Sequence, residues 1–153
     1  MVESNPILKK LQFKDSGQPV LIMNHPNSYN EVISSFTGDV HNEAKSEEYD
    51  FVQIFGTAND QLKSLAQVAV QAIKEDGLFW ICYPKKSSKT YKGSDCSRET
   101  VGGLLAAEGY EPVRQIAIDE DWSALRFRKV EKIKKMSRKF AVTDEGKQRT
   151  EQN

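Results

Sequence analysis

Residues 78–83 read Leu-Phe-Trp-Ile-Cys-Tyr, an unbroken apolar run that lies between Gly77 and Pro84. A run of this length, with a glycine before it and a proline after it, is typical of a strand buried on both faces of a parallel sheet. We therefore predict that this segment is the central strand of an α/β fold with helices on both faces of its sheet.

Two shorter apolar runs upstream, residues 20–23 and 51–55, predict further strands. The first is followed by apolar residues at helical spacing over residues 29–36. Asn27 or Ser28 precedes that segment as a candidate N-cap. We expect a strand, a tight turn and a helix in quick succession.

The second of these runs is followed by the most strongly periodic segment of the chain, which begins at Asn59 and is closed by Gly77. Its apolar stripe is wide and rich in alanine, and consists of Leu62, Leu65, Ala66, Ala69, Ala72 and Ile73. Small side chains let a helix lie close on a sheet, as crossover helices do in parallel α/β folds.

A polar loop follows the central run and leads to a third helix, with Asp95 or Ser97 as its N-cap and Gly109 as its stop signal. Its inward residues are Val101, Leu104 and Leu105. Glycine inside a helix costs about 1 kcal/mol against alanine. Gly102 and Gly103 therefore predict a close backbone contact.

The last two strands are predicted at residues 113–118 and 124–128. The five residues between them are too few for a crossover helix, so we expect an antiparallel hairpin. Residues from 131 to 153 lose the apolar pattern and become basic and polar, which predicts a flexible tail.

This order of elements predicts one small Rossmann-like α/β domain over residues 1–130. Its sheet is expected to be mostly parallel, with helices on both faces and a C-terminal antiparallel hairpin. From Val20 onward the order resembles part of a class I methyltransferase fold. That resemblance implies a methyltransferase-like topology and, by itself, no activity.

The charges are balanced overall but unevenly placed. The chain has 22 basic and 22 acidic residues, and eight of the basic but only four of the acidic ones lie from Lys129 onward. Lysine-rich termini are usually solvated, so we do not expect nucleic acid as a partner.

The N-terminus lacks the apolar region of a secretory signal, no run is long enough to cross a membrane, and the two cysteines lack disulfide or metal spacing. We predict a cytoplasmic protein with no membrane association.

The exit of the first strand argues against a bound cofactor. Residues 24–28 read Asn-His-Pro-Asn-Ser and contain no glycine. Dinucleotide sites, and by analogy S-adenosylmethionine sites, use a glycine-rich turn there so that the backbone can approach the ligand. The phosphate-binding pattern of P-loop proteins is absent as well. We therefore predict no cofactor.

Candidate ligand-binding residues lie where the strands are expected to end. His25 has a side chain that acts as acid or base near neutral pH, although a histidine that bonds the turn backbone is more common. Lys85, Lys86 and Ser87 open a loop rich in ammonium and hydroxyl groups. Anion binding is the functional interpretation of this loop, and a solvated connection is the structural one. We take these four residues and Asn24 as candidates, and predict no metal site.

Residues 121–126 read Asp-Trp-Ser-Ala-Leu-Arg and make up the most unusual segment of the chain. The indole of Trp122 either closes the end of the sheet, with Asp121 or Ser123 fixing the turn, or forms part of a ligand pocket. The first role is the more common one. We include Trp122 among the candidate ligand-binding residues.

Several motifs together resemble an uncharacterised bacterial domain-of-unknown-function family over roughly residues 20–128. They are Trp80, the run Tyr83-Pro84-Lys85-Lys86-Ser87, Asp95, Arg98, the strand at 113–118 and the segment at 121–126. The resemblance implies a bacterial, cytoplasmic α/β protein related in shape to methyltransferases, and it implies no activity.

We predict a non-catalytic Rossmann-like domain that binds a partner or a small anionic ligand near Asn24, Lys85, Lys86 and Ser87. The residues do not decide whether the chain is an enzyme, and they favour a binding protein. The alternative is an S-adenosylmethionine-dependent methyltransferase with an atypical cofactor turn. A third possibility is an interaction protein that works through its tail or an exposed sheet edge.

Overall fold

The computed structural model describes residues 5–45 and 48–132. Its strands are β1 (Val20–Met23), β2 (Val40–His41), β3 (Tyr49–Phe55), β4 (Ile73–Pro84), β5 (Tyr110–Ala117) and β6 (Trp122–Lys129). Its helices are α1 (Pro6–Lys10), α2 (Asn30–Ile33), α3 (Asn59–Ala72) and α4 (Arg98–Gly102). Short 3-10 turns cover Asn27–Tyr29, Ala106–Glu108 and Val130–Lys132.

The strands of the described chain form one six-stranded sheet in the order β2-β1-β3-β4-β6-β5. β1 is parallel to β2 and β3, and β3 is parallel to β4. β6 is antiparallel to both of its neighbours, β4 and β5. The predicted Rossmann-like, methyltransferase-like fold with a C-terminal hairpin is therefore confirmed. The last strand lies inside the sheet and leaves β5 at the edge.

The side chains of β4 alternate between two apolar layers. Phe79, Ile81 and Tyr83 pack in the layer that contains the buried side chains of α3 and α4. Trp80 and Cys82 pack in the layer that contains those of α1 and α2. These two layers confirm the prediction of a central strand with helices on both faces. Burial on two sides requires apolar residues at every position, which explains the unbroken apolar run.

The boundary between α3 and β4 differs from the prediction. The helix ends at Ala72, five residues before Gly77, and β4 begins at once with Ile73. Ile73 pairs with Tyr49, and the register then shifts before the strand resumes. Asp76 lies in this irregular segment with a φ of 56°. Residues 74–77 are polar or glycine and form a bulge between the pairs that Ile73 and Leu78 make with β3.

The helix after β1 is shorter than predicted and starts later. Asn27 and Ser28 do not cap it, because both lie inside the 3-10 turn that precedes α2. After Asn30–Ile33, the hydroxyls of Ser34 and Ser35 donate to carbonyl oxygens of the preceding turn at 3.0 and 2.6 Å. Such bonds give the backbone an alternative to continued helix.

The third predicted helix is also short. Ser97 is its N-cap, and its Oγ accepts from the backbone N–H of Thr100 at 3.2 Å. The helix ends at Gly102, before the two leucines that we expected to lie in it. A Cβ on Gly102 would lie 3.5 Å from Cγ of Pro112, which is ordinary van der Waals contact, so crowding does not explain the glycine pair.

The hairpin strands are longer than predicted, since β6 begins at Trp122. Asp119 fixes the turn, because its Oδ1 accepts from the backbone N–H groups of Asp121 at 2.8 Å and Trp122 at 2.9 Å. The expectation that Asp121 or Ser123 has this role is wrong. The carboxylate of Asp121 instead accepts from the hydroxyl of Ser88 at 2.8 Å.

The predicted tail lies almost wholly outside the described residues, which end at residue 132, so the domain boundary at residue 130 stays a prediction. Within the described ranges, no helix has the length and hydropathy that a membrane crossing needs. The predicted compartment also stays a prediction.

A buried polar contact joins β3, β4 and the turn before α2. The hydroxyl of Tyr29 donates to Oε1 of Gln53 at 2.8 Å, and Nε2 of Gln53 contacts Sγ of Cys82 at 3.2 Å. Gln53 is wholly buried, with apolar residues on both sides of it in β3. Burial raises the pKa of the Tyr29 hydroxyl and of the Cys82 thiol, so both groups stay protonated.

We predict that Gln53→Leu lowers the free energy of unfolding by about 1–3 kcal/mol, because it leaves the Tyr29 hydroxyl buried without an acceptor. Tyr29→Phe combined with Gln53→Leu should lose less than the sum of the two single variants. Urea denaturation measures all three. Strictly additive losses would show that the two side chains are not coupled.

Candidate functional site

The chain leaves β1 toward β2 on one side and returns to β3 on the other, so the carboxyl ends of β1 and β3 form the switch point of the sheet. Ligands of open α/β sheets usually bind at this position. Asn24 follows β1 in the left-handed region with a φ of 63°. Its Nδ2 donates to the backbone carbonyl of Phe55 at 2.8 Å. The Asn24 amide therefore bridges the two strand ends at the switch point.

His25 follows Asn24 in the chain, and its ring nitrogen contacts a side-chain amide. Its Nε2 lies 2.9 Å from Oδ1 of Asn30, the first residue of α2. Its ring packs near the ring of Tyr29 with centroids 6.5 Å apart. The neutral amide of Asn30 orients the imidazole.

Two backbone donors at or just before the start of α3, which follows β3, are bonded to the protein's own side chains. The backbone N–H of Thr57 donates to Oε1 of Gln61 at 3.0 Å. The backbone N–H of Asn59 donates to Oδ1 of Asp95 at 2.8 Å. A carboxylate of the chain thus occupies the position where the phosphate or carboxylate of a ligand would meet a helix start.

These residues do not fit an S-adenosylmethionine or dinucleotide cofactor at the switch point. The turn after β1 has an asparagine amide where such sites place a glycine, and that amide is bonded to the neighbouring strand. The backbone N–H of Thr57, before α3, and that of Asn59, its first residue, are already bonded to protein acceptors. We derive no chemistry through such a cofactor.

The loop after β4 is tied to the β5–β6 turn. The backbone N–H of Lys85 donates to the carbonyl of Asp121 at 2.7 Å, and the Ser88 hydroxyl donates to the Asp121 carboxylate. The Ser88 Oγ also accepts from the N–H of Tyr91 at 3.1 Å. Ser88 is buried, so this hydroxyl of the predicted anion loop has a structural role.

Two cavities flank Lys85 and Lys86, and we call them together the lysine cleft. One has a volume of about 330 Å³, and its other polar lining residues include Lys92, Ser94, Asp95 and Ser97. The second has a volume of about 460 Å³, and its further lining residues include Tyr83, Ser87, Arg98, Glu99, Gln115 and Ser123. The three loop residues chosen from the sequence, Lys85, Lys86 and Ser87, therefore line the same open space.

The lysine cleft has an excess of positive charge. Its cations are Lys85, Lys86, Lys92 and Arg98, and its carboxylates are Asp95 and Glu99. The pKa of Glu99 is lowered by hydrogen bonds from its own backbone N–H and from Ser97, with a further contribution from Lys86 and Arg98.

Tyr83 adds a neutral donor to the cleft. Burial raises the pKa of Tyr83 to about 12, although Arg98 acts in the opposite direction. The hydroxyl stays protonated at neutral pH, and its oxygen accepts from Nε2 of Gln115 at 3.0 Å.

Trp122 lies beneath the loop rather than in the cleft. Its side chain is 3% exposed, and its ring packs edge-on against Phe55 at 5.3 Å and Tyr91 at 5.0 Å between centroids. Its Nε1 has no hydrogen-bond partner in the described part of the chain. The indole thus covers the end of the sheet next to the lysine cleft and supports the loop from below.

The candidate residues therefore separate into three places: Asn24 and His25 at the switch point, the three loop residues at the cleft, and Trp122 under the loop. Sequence reasoning missed Lys92, Arg98 and Gln115. Lys92 lies in the same polar loop and is visible in the sequence as a further cation. Gln115 comes from another strand and has no sequence signal.

In residues 5–45 and 48–132, no group of three or more His, Cys, Asp or Glu side chains is arranged so that it could hold a metal ion. Both cysteines in these ranges are free and buried.

The comparisons with known proteins leave the family open. No family model matches the chain, and no curated protein matches it, so the resemblance to a bacterial family of unknown function is not supported by either. The solved structures include a protein in the NADB-Rossmann superfamily from Streptococcus agalactiae, with 11% sequence identity and a TM-score of 0.47, covering 84% of this chain and 69% of that one.

Two further solved structures are similar at the same low level. A protein assigned to the type 11 methyltransferases from Sulfolobus solfataricus has 15% identity and a TM-score of 0.48, covering 82% of this chain and 79% of that one. Trm5b from Pyrococcus abyssi has 13% identity and a TM-score of 0.38, covering 83% of this chain and 50% of that one. We draw no functional argument from these three similarities.

We predict that Asn24→Ala lowers the free energy of unfolding by about 2 kcal/mol, because it removes the bond to Phe55 and places alanine in the left-handed region. Asn24→Gly should lose less, since glycine adopts that backbone without strain. Urea denaturation of both variants checks this. Equal losses would show that the positive φ is not a source of strain.

Proposed function

We propose that the protein is a non-catalytic Rossmann-like domain that binds a small anionic ligand in the lysine cleft. The observation that carries this proposal is that Lys85 and Lys86 line both cavities at the carboxyl end of β4, with Lys92 in one cavity and Arg98 in the other. Four cations there face two carboxylates, one of which, Asp95, already accepts from the start of α3.

The local charge supports the proposal because it opposes the charge of the rest of the domain. Residues 1–128 contain 14 basic and 18 acidic residues, so their net charge is negative. A positive cleft in a negative domain attracts an anion to one place rather than to the whole surface. Lys85 and Lys86 make no ion pair within 4.0 Å in the described part of the chain.

The backbone around the cleft is held in place before any ligand arrives. The Lys85 N–H bonds the hairpin turn at 2.7 Å, and Ser88 is fixed between Asp121 and Tyr91. Preorganised groups lose less conformational entropy when they bind. A ligand with a phosphate or carboxylate group would meet the lysine ammonium groups and the Ser87 hydroxyl at the cleft surface.

The chemistry of the cleft favours binding over catalysis. Cys96 is its one thiol, and burial raises the pKa of that thiol, so it stays protonated and is a weak nucleophile. His25 lies at the switch point with an amide partner, and it does not line either cavity. The methyltransferase alternative has the order of elements in its favour and the filled switch point against it.

We predict that inorganic phosphate, nucleotides or small dicarboxylates raise the melting temperature of the protein. A ligand at one hundred times its dissociation constant should raise it by roughly 5–10 °C. Lys85→Gln combined with Lys86→Gln should abolish most of this rise without unfolding the protein. Lys89→Gln is the matched control, because Lys89 is exposed in the same loop but lines neither cavity.

Equal ligand shifts in the double variant and in the control would place the anion elsewhere and contradict the proposal. A shift with S-adenosylmethionine that survives both substitutions would favour the methyltransferase alternative. The absence of any shift across the panel would leave a macromolecular partner as the better account of the cleft.

A further inference from the structure

The C-terminal hairpin brings two arginines together on the face opposite the lysine cleft. Arg114 on β5 is directly across from Arg126 on β6 in the antiparallel register. Directly opposite residues in such a pair have Cβ atoms about 5 Å apart, and like charges in these positions are destabilising. The next residue on β5, Gln115, points the other way and lines the cleft.

Arg126 is partly buried and has only a neutral partner. Its Nη1 donates to Oε1 of Gln12 at 3.0 Å, and its Nε is shielded from solvent without a hydrogen-bond partner in the described residues. Gln12 itself has a backbone φ of 61°. A partly buried cation whose desolvation is not offset by a close ion pair is costly.

A third arginine of the hairpin, Arg128, has its charge paired with a carboxylate. Arg128 makes two hydrogen bonds to the carboxylate of Asp76, at 2.9 and 2.7 Å, and Glu111 lies across from it in the register. In the described part of the chain, neither Arg114 nor Arg126 lies within 4.0 Å of a carboxylate. Arg128 thus has a close ion-pair partner, whereas Arg114 and Arg126 have none among the described residues.

We propose that Arg114 and Arg126 bind one phosphate group of a small ligand, at a second site separate from the lysine cleft. Each guanidinium presents several N–H donors, and Gln12 uses one of those on Arg126. A carboxylate has two oxygens, and one arginine can donate a hydrogen bond to each of them. A phosphate monoester has three terminal oxygens, which match donors that come from two arginines.

The surroundings of the pair add to this argument. Lys10, at the end of α1, donates from Nζ to the carbonyl of Ala117 at 3.1 Å, which places a third cation near the same face of β5. Burial lowers the pKa of Arg126, and Arg128 and Arg114 lower it further, whereas Asp76 acts in the opposite direction. A bound anion would offset the desolvation of Arg126 and its repulsion from Arg114.

The test uses the variant Lys85→Gln/Lys86→Gln as background, so that phosphate bound in the lysine cleft does not contribute. In that background, inorganic phosphate should raise the melting temperature by roughly 2–4 °C over potassium chloride of equal ionic strength. Adding Arg114→Gln should abolish the rise. Arg114 is exposed, so this substitution leaves the core intact. Acetate in place of phosphate should give a smaller rise.

A second variant tests the repulsion itself. Without phosphate, Arg114→Glu should melt roughly 1–3 °C above the wild type, because a like-charge pair becomes an opposite-charge pair. It should also lose the response to phosphate at this site. A phosphate response in the double-lysine background that survives Arg114→Gln would overturn the proposal, as would no response in that background. A melting temperature of Arg114→Glu that is unchanged or lower would remove its physical basis.

A negative result for the arginine site would not affect the proposal for the lysine cleft. The cleft is tested by Lys85→Gln combined with Lys86→Gln, in a chain that keeps both arginines. Loss of the response with the lysine variant alone, and no further change with Arg114→Gln, would support the cleft and reject the arginine site. Phosphate esters compared with inorganic phosphate then distinguish a phosphorylated small molecule from free phosphate as the source of the group.

Discussion

The pairing of β4 on both of its edges, together with the helices on both of its faces, is the constraint on which the rest of the structure depends. β3 pairs with it in parallel and β6 antiparallel, so residues 79–83 have neither a free edge nor a free face. Side chains at these positions must then be apolar or have their polar atoms bonded within the protein. Trp80 is an example, because its Nε1 donates to the carbonyl of Leu11 at 3.1 Å. That bond also fixes the chain after α1 over the sheet.

The same arrangement decides where open space remains. In an open parallel sheet, the usual ligand position lies at the switch point, and here the Asn24 amide and the bonded start of α3 fill it with the protein's own groups. The loop after β4 is tied to the hairpin turn by hydrogen bonds. The two cavities of the lysine cleft lie one strand further along the sheet, beside Lys85 and Lys86.

Charge is distributed so that the two faces of the hairpin differ. The lysine cleft collects cations from the loop after β4 and the start of α4, while Arg114 and Arg126 meet on the opposite face only because β5 and β6 pair in one register. Positive charge concentrated in this way works against folding, because like charges repel and partly buried ones lose hydration. Sites that bind anions commonly retain such a cost, which the ligand offsets when it binds.

The sequence by itself determined the strands at residues 20–23, 51–55 and 78–83, the helix that starts at Asn59 and the hairpin, because burial and periodicity leave local patterns. It also located Lys85, Lys86 and Ser87, since strand ends and cationic loops can be read locally. Three-dimensional contacts alone reveal that residues 74–77 form a bulge within β4, that Asn24 bridges the switch point and that Arg114 faces Arg126. The physical reason is that these features depend on strand register and on contacts between residues far apart in the chain, which no local pattern encodes.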